Sequence, residues 1–312
     1  MPKRNDTAIL FILVTVLIDF TGFGIIIPVL PKLIQGFTGG NLSVAAEYGG
    51  YLMVVFAIAQ FLFSPIIGGL SDQYGRRPVL LISLLGLGTD YIFLSFAPSI
   101  FWLFIGRIIA GISGASVTTA MAYIADISEP KKKAQNFGLV GAAFGIGFIL
   151  GPVIGGISGS LGIRVPFMIS AGLALINFIY GFFFLPESLA SDCRRKFSLK
   201  RGNPIGSLAN IAKYPTIIGL LATLLLVDIA NHSVHSNWSF YVIEKFRWNS
   251  TLIGYSLGVV GLAVAVVQGV LIRVIVPRIG QKNAIYTGLI LYFTGFICFA
   301  FASSGLWMML FI

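Results

Sequence analysis

The chain has 312 residues, of which 57% are apolar and 10% charged, and its mean hydropathy is +0.93. Soluble domains carry about 25% charged residues, so an ordinary water-soluble enzyme, a disordered chain and a disulfide scaffold are all excluded. The net charge of +10 would suggest nucleic acid in a soluble protein. In a lipid-embedded chain it reports loops rich in Lys and Arg, and no nucleic-acid partner is expected. Cys193 in a polar stretch and Cys298 in an apolar run make no disulfide framework.

About 17–25 apolar residues are needed for a helix to cross a bilayer. Such stretches fall at about 8–31, 48–70, 79–97, 101–124, 137–159, 165–186, 215–240, 251–273 and 283–302. A tenth opens near Leu306. The first is too long for a signal peptide and no small-residue cleavage site follows it. The expected class is all-α and integral to the lipid bilayer.

Charge sets the orientation. With the N-terminus in the cytoplasm, 16 of the 21 basic residues fall in inner segments and Lys32, Arg164, Lys245 and Arg247 in outer loops; Arg107 alone lies within a span. The positive-inside rule then predicts a multi-pass membrane protein with a cytoplasmic N-terminus. The longest polar interruption divides the chain into a six-helix N-terminal bundle (1–187), a cytoplasmic linker (188–214) and a partial C-terminal bundle (215–312). Gly75-Arg76-Arg77 before the third span aligns with Gly280-Gln281-Lys282 before the ninth. Two parallel six-helix halves are a transporter architecture, and the same offset puts the end of a full second half roughly 80 residues beyond Ile312. The expectation is a fragment or a natural truncation.

Four motifs carry the chemistry. The first span holds Asp19, and the third Asp90-Tyr91. Each carboxyl lies about 16 Å from the start of its span, near the midplane. Ionisable residues at that depth face a bundle interior or a watery cavity and mark ion or substrate pathways; the alternative is a neutral packing residue. Arg107 stays charged and needs a partner there, such as the Asp19 carboxylate, or acts as a static clamp. Between spans two and three, Gly68, Asp72, Gly75, Arg76 and Arg77 form a sharply turned charged loop, with Asp126 at the inner end of the fourth span as a possible partner. That pattern reads as a cytoplasmic gate, although Arg76 and Arg77 alone would serve as topology markers. In the fifth span, Gly147, Gly151, Pro152, Gly155 and Gly156 allow close helix approach and a kink.

Further polar groups sit within spans. Gln60, Tyr91, Asn177, Tyr180 and Gln268 are able to bind a ligand or a neighbouring helix. Asp228, His232 and His235 cluster in the seventh span as a second proton or ligand site. Their spacing lacks the further ligands a metal site needs, so no metal and no cofactor are expected. No phosphate-binding loop, zinc-spaced Cys/His set or nucleophile elbow occurs, and the chain is not expected to be an enzyme.

These motifs together resemble the major facilitator superfamily, through the G-x-x-x-D-x-x-G-R-R loop at Gly68–Arg77 and the G-x-x-x-G-P-x-x-G-G run at Gly147–Gly156. Within it the likeness is to the tetracycline-resistance branch of drug:proton antiporters, on Asp19, on Ser71-Asp72 through Gly75–Leu81, on Asp90-Tyr91 and on Ile124-Ala125-Asp126. Two positions depart from the branch's pattern. Gln73 follows Asp72 where a basic residue is usual, and the ninth span carries Tyr292 and Thr294 where an acidic one is usual. The resemblance implies proton-coupled export of a drug or other small amphipathic solute, with protons and that solute as partners. The alternatives are metabolite or sugar uptake by the same fold, and a truncated, non-transporting remnant.

Overall fold

The computed structural model describes residues 3–114, 116–130, 132–197, 215–267 and 271–311. Seven helices among them are long and apolar enough to cross a membrane. Helix α1 (Lys3–Ile26) ends short of the expected residue 31. Pro28 has no N–H to donate and pushes residue 27 out of helical geometry, so a turn intervenes. Helix α2 (Leu30–Phe37) restarts with Pro31 in its first turn, where a missing N–H costs nothing.

Helix α3 (Leu42–Tyr74) begins where the Asn41 side chain accepts the Val44 N–H at 3.2 Å. Its 33 residues span about 50 Å, well beyond the expected 48–70. Helix α4 (Arg76–Phe96) follows after one residue, Gly75, at φ 108° and ψ 159°. That conformation suits only glycine. The same turn recurs at Gly280, φ 80° and ψ 156°, between α11 (Ile272–Ile279) and α12 (Gln281–Phe301). The aligned Gly75 and Gly280 are thus one structural device used twice.

Helices α5 (Ile100–Gly114) and α6 (Ser116–Ile127) form one crossing. Helix α7 (Lys133–Gly159) runs through Pro152, and α8 (Val165–Phe184) closes the first group. Helix α9 (Pro215–Phe246) leads to α10 (Ser250–Val266), whose first turn is capped by Asn249. Within the span expected over 251–273, α10 is described to Val266 and α11 from Ile272. A short α13 (Gly305–Phe311) follows α12. Gln268 and residues 198–214 of the linker lie outside the described residues.

Helix α1 lies against α6, α7 and α8, α4 against α5 and α8, and α3 against α5. Apolar residues cover the outside as well as the core; Phe301 is 82% exposed, as befits a surface facing lipid rather than water. One buried cluster around Phe11, Ile12 and Tyr123 fills the end of the bundle that carries Arg76. Another around Ile34, Leu103 and Phe167 fills the opposite end and includes Phe240 of α9. The contacts that join α7 to α10 lie toward that opposite end, from Ile149 against Gly261 to Gly159 against Ser250. Toward the Arg76 end, Gly138, Gly141 and Gly145 of α7 face open space.

Candidate functional site

Asp90 is fully buried in α4 and Arg107 nearly so in α5, and the two form an ion pair. This corrects the expectation that Arg107 holds Asp19. Helix α5 packs on α4, which presents Arg107 to Asp90 rather than to α1. The second oxygen of Asp90 and the Nε of Arg107 have no hydrogen-bond partner among the described residues. A buried pair left partly unsatisfied in this way gains little stability, which suits a group that changes partners.

Asp19 is the more open carboxylate, partly accessible on α1. Among the described residues it accepts one hydrogen bond, from Asn177 Nδ2 at 3.4 Å. The Oδ1 of Asn177 in turn accepts from the Thr15 hydroxyl at 3.2 Å, so α8 holds the Asp19 side of α1. One turn beyond, buried Tyr91 lies over Gly22, where a β-carbon would stand 3.2 Å from its hydroxyl. Gln60 of α3 stands against Gly111 and Gly114 of α5, an interhelical position. Asp228 and His232 are exposed on α9. His235 meets Phe148 edge-on at 6.0 Å.

That contact ends an aromatic row absent from the sequence reading. Phe144 and Phe148 of α7 lie parallel, centroids 6.1 Å apart, with Phe20 edge-on to Phe144 at 4.2 Å. Phe148 shares a helical face with Gly141 and Gly145, which look onto open space. The i, i+4 spacing of Phe144 and Phe148 was the available signal, but it is equally the spacing of lipid-facing rings.

The glycines of α7 divide into two stripes. A β-carbon on Gly147 would come 2.7 Å from the Leu17 carbonyl oxygen, and on Gly151 2.6 Å from that of Thr21. On Gly155 it would fall on the Ile25 carbonyl. These three positions, four residues apart, face α1. Gly156 faces α10 instead, where a β-carbon would stand 2.6 Å from the Ser250 oxygen, and its carbonyl accepts from the Thr251 hydroxyl at 3.2 Å. Pro152 sits between, against Gly24 of α1 and Gly254 of α10.

At the far end from these contacts, Arg76 binds Asp72 at 2.5 Å and Asp126 at 3.1 Å, and donates to the Ser71 hydroxyl at 2.7 Å. Gly68 lends its carbonyl to the Ser71 hydroxyl. Arg77 donates to the Phe182 carbonyl at 2.6 Å. Sequence reasoning missed Glu187, whose carboxylate accepts the Arg76 N–H at 2.8 Å and the Arg77 N–H at 3.3 Å. It caps the start of α4, where unpaired N–H groups and the helix dipole favour an anion. Its one signal was an acidic residue opening a basic stretch. Glu187→Ala is expected to lower stability by about 1 kcal/mol, as loss of an N-terminal cap does. Glu187→Gln, which keeps an acceptor oxygen, should lose less; thermal unfolding in detergent distinguishes them.

The sequence matches the Major Facilitator Superfamily over residues 12–312. The chain belongs to that superfamily. It is 37% identical over 305 residues to the class C tetracycline resistance protein of Escherichia coli, covering 98% of this chain and 76% of that one. The class B protein of Escherichia coli is 34% identical, covering 94% and 72%. Among solved structures, the human organic anion transporter MFSD10 (TETRAN) superposes with a TM-score of 0.71 at 23% identity, over 98% of this chain and 81% of that one. A bacterial homologue of the human lysosomal transporter Spinster, inward-facing and occupied, gives 0.69 at 16% identity, over 97% and 69%. The likeness to these two structures is one of fold. As a major facilitator chain this is a multi-pass membrane transporter, and its charged turn lies at the end of the bundle away from the α7–α10 contacts.

Proposed function

We propose that this chain is a secondary active transporter that exports a small amphipathic compound, tetracycline-like in kind, in exchange for protons. The observation that carries the reading is the buried Asp90–Arg107 pair together with a second, partly accessible carboxylate within a span, Asp19. Two carboxylates within the spans provide a place for a proton and a place for a cation or hydrogen-bond donor of the cargo. The names of the relatives, tetracycline resistance proteins of classes C and B, support a drug as cargo. In this reading protonation of Asp90 releases Arg107, and Asp19 exchanges its proton for the cargo. The flat rings of Phe144 and Phe148 offer the cargo an aromatic surface.

Alternating access comes from rocking the helices before the linker against those after it. With the N-terminus in the cytoplasm and the protein in the inner membrane, the Arg76 end faces inward, so the open glycine face of α7 is an inward opening. The Arg76–Asp72–Asp126 cluster then acts as the cytoplasmic gate, and the glycine stripes of α7 allow the helices to shift while staying sealed.

The test is cargo-dependent proton release from proteoliposomes, with tetracycline among a panel of cationic and amphipathic compounds. Release with at least one compound, lost in Asp19→Asn, is the expected result. Release that persists in Asp19→Asn removes that carboxylate from the exchange. Solute entry driven inward with protons, rather than against them, would make the protein an uptake system.

A further inference from the structure

The chain does not leave the bundle directly after α8. Past Glu187 it makes a short 3-10 turn, Ser191–Cys193, and then runs extended along the last turn of α3. The Arg195 N–H donates to the Asp72 carbonyl at 3.0 Å. Two residues on, the Phe197 N–H donates to Gln73 Oε1 at 2.8 Å. The Phe197 ring fills the space over Gly69, where a β-carbon would stand 2.7 Å from the ring.

Each contact has a physical reason. The last four carbonyls of a helix have no partner within it. Helix α3 ends at Tyr74, the Ser71 carbonyl takes the Gly75 N–H, and that of Asp72 takes Arg195. Extended backbone turns alternate N–H groups to one side, so Phe197 presents the next donor to α3. Gln73 meets it with a side-chain oxygen. Lysine or arginine at this position would offer only donors and could not accept it. Asp72 meanwhile serves two partners, its carboxylate binding Arg76 and its main chain binding Arg195.

We propose that Gln73 is a positioning residue that fastens residues 194–197 as a strap across the α3–α4 turn, tying the connection to α9 to the charged turn itself. The strap holds Arg194, Arg195 and Lys196, all exposed, at the Arg76 end of the bundle. The strap is independent of the identity of the cargo.

Trypsin reads the strap directly, since a peptide bond must leave its docked geometry to enter a protease. The whole protein in nanodiscs, which exposes both faces, is digested briefly, and the cuts after Arg194 and Arg195 are timed by mass spectrometry. Gln73→Lys is expected to speed both cuts about five-fold, the factor that one net hydrogen bond supplies. Gln73→Glu keeps an acceptor oxygen and should stay close to wild type. Phe197→Pro removes the donor from the other side and should match Gln73→Lys, which keeps the test open if the lysine variant fails to fold. Equal cutting of Gln73→Lys and wild type overturns the proposal, as does Gln73→Glu cutting as fast as Gln73→Lys. Neither result touches the transport reading, because no cargo enters the assay.

Discussion

Asp90→Asn is expected to abolish proton-driven export and to destabilise the protein by about 3–5 kcal/mol, the cost of stranding one charge of a buried pair. The structural and functional parts of that loss are separable. Replacing both partners by apolar residues, as Asp90→Leu with Arg107→Met, removes the stranded cation. A well-packed apolar pair of similar volume is often as stable as the buried ion pair it replaces. The double variant should therefore unfold near the wild-type temperature yet release no protons when cargo is added. Full proton release by the folded double variant would take Asp90 and Arg107 out of the coupling and leave them as a clamp between α4 and α5.

Gly155→Leu is the second large effect. A β-carbon at that position falls on the Ile25 main chain, and main chain cannot swing aside as a side-chain tip can. Overpacking of this kind costs about 1–3 kcal/mol or more, and here it also drives α1 from α7, so little folded protein should be recovered from the membrane. Gly138→Ala on the same helix is the control. Its position meets open space, and alanine in place of a mid-helix glycine gains about 0.5–1 kcal/mol. Opposite shifts in thermal midpoint for the two variants would show that the stripe, rather than glycine content, sets the helix spacing. Equal shifts would dissolve the distinction.

The spans were legible because lipid imposes a length and a hydropathy on each crossing. Their ends were less so, since they depend on local features such as Pro28 and the Asn41 cap. Arg76 and Asp126 share one end of the bundle by span arithmetic, and the structure pairs them. The partner of Arg107 was not legible. Depth along the membrane fits Asp19 and Asp90 equally, and only the packing of α5 on α4 decides between them. The glycine motif announced close packing, but spacing alone could not tell that Gly155 meets α1 while Gly156 meets α10. The roles of Glu187 and of Gln73, which stood out only as a departure from the branch's pattern, escaped for another reason. Their partners are main-chain N–H groups, which every residue carries and no side-chain pattern reveals.

The pairing within one bundle also has an electrical side. One elementary charge crossing a membrane held at 100 mV gains or loses about 2.3 kcal/mol. Asp90 and Arg107 are carried by adjacent, packed helices. While Asp90 is ionised they move together as a neutral dipole when that bundle tilts, and the voltage does almost no work on them. Once Asp90 takes up a proton, as in the proposed exchange, Arg107 is left as an uncompensated cation. The field then acts on the Arg107 cation together with whatever charge Asp19 carries. The charge of the compound adds to this, and a neutral cargo and a cationic one should respond differently to the same membrane potential.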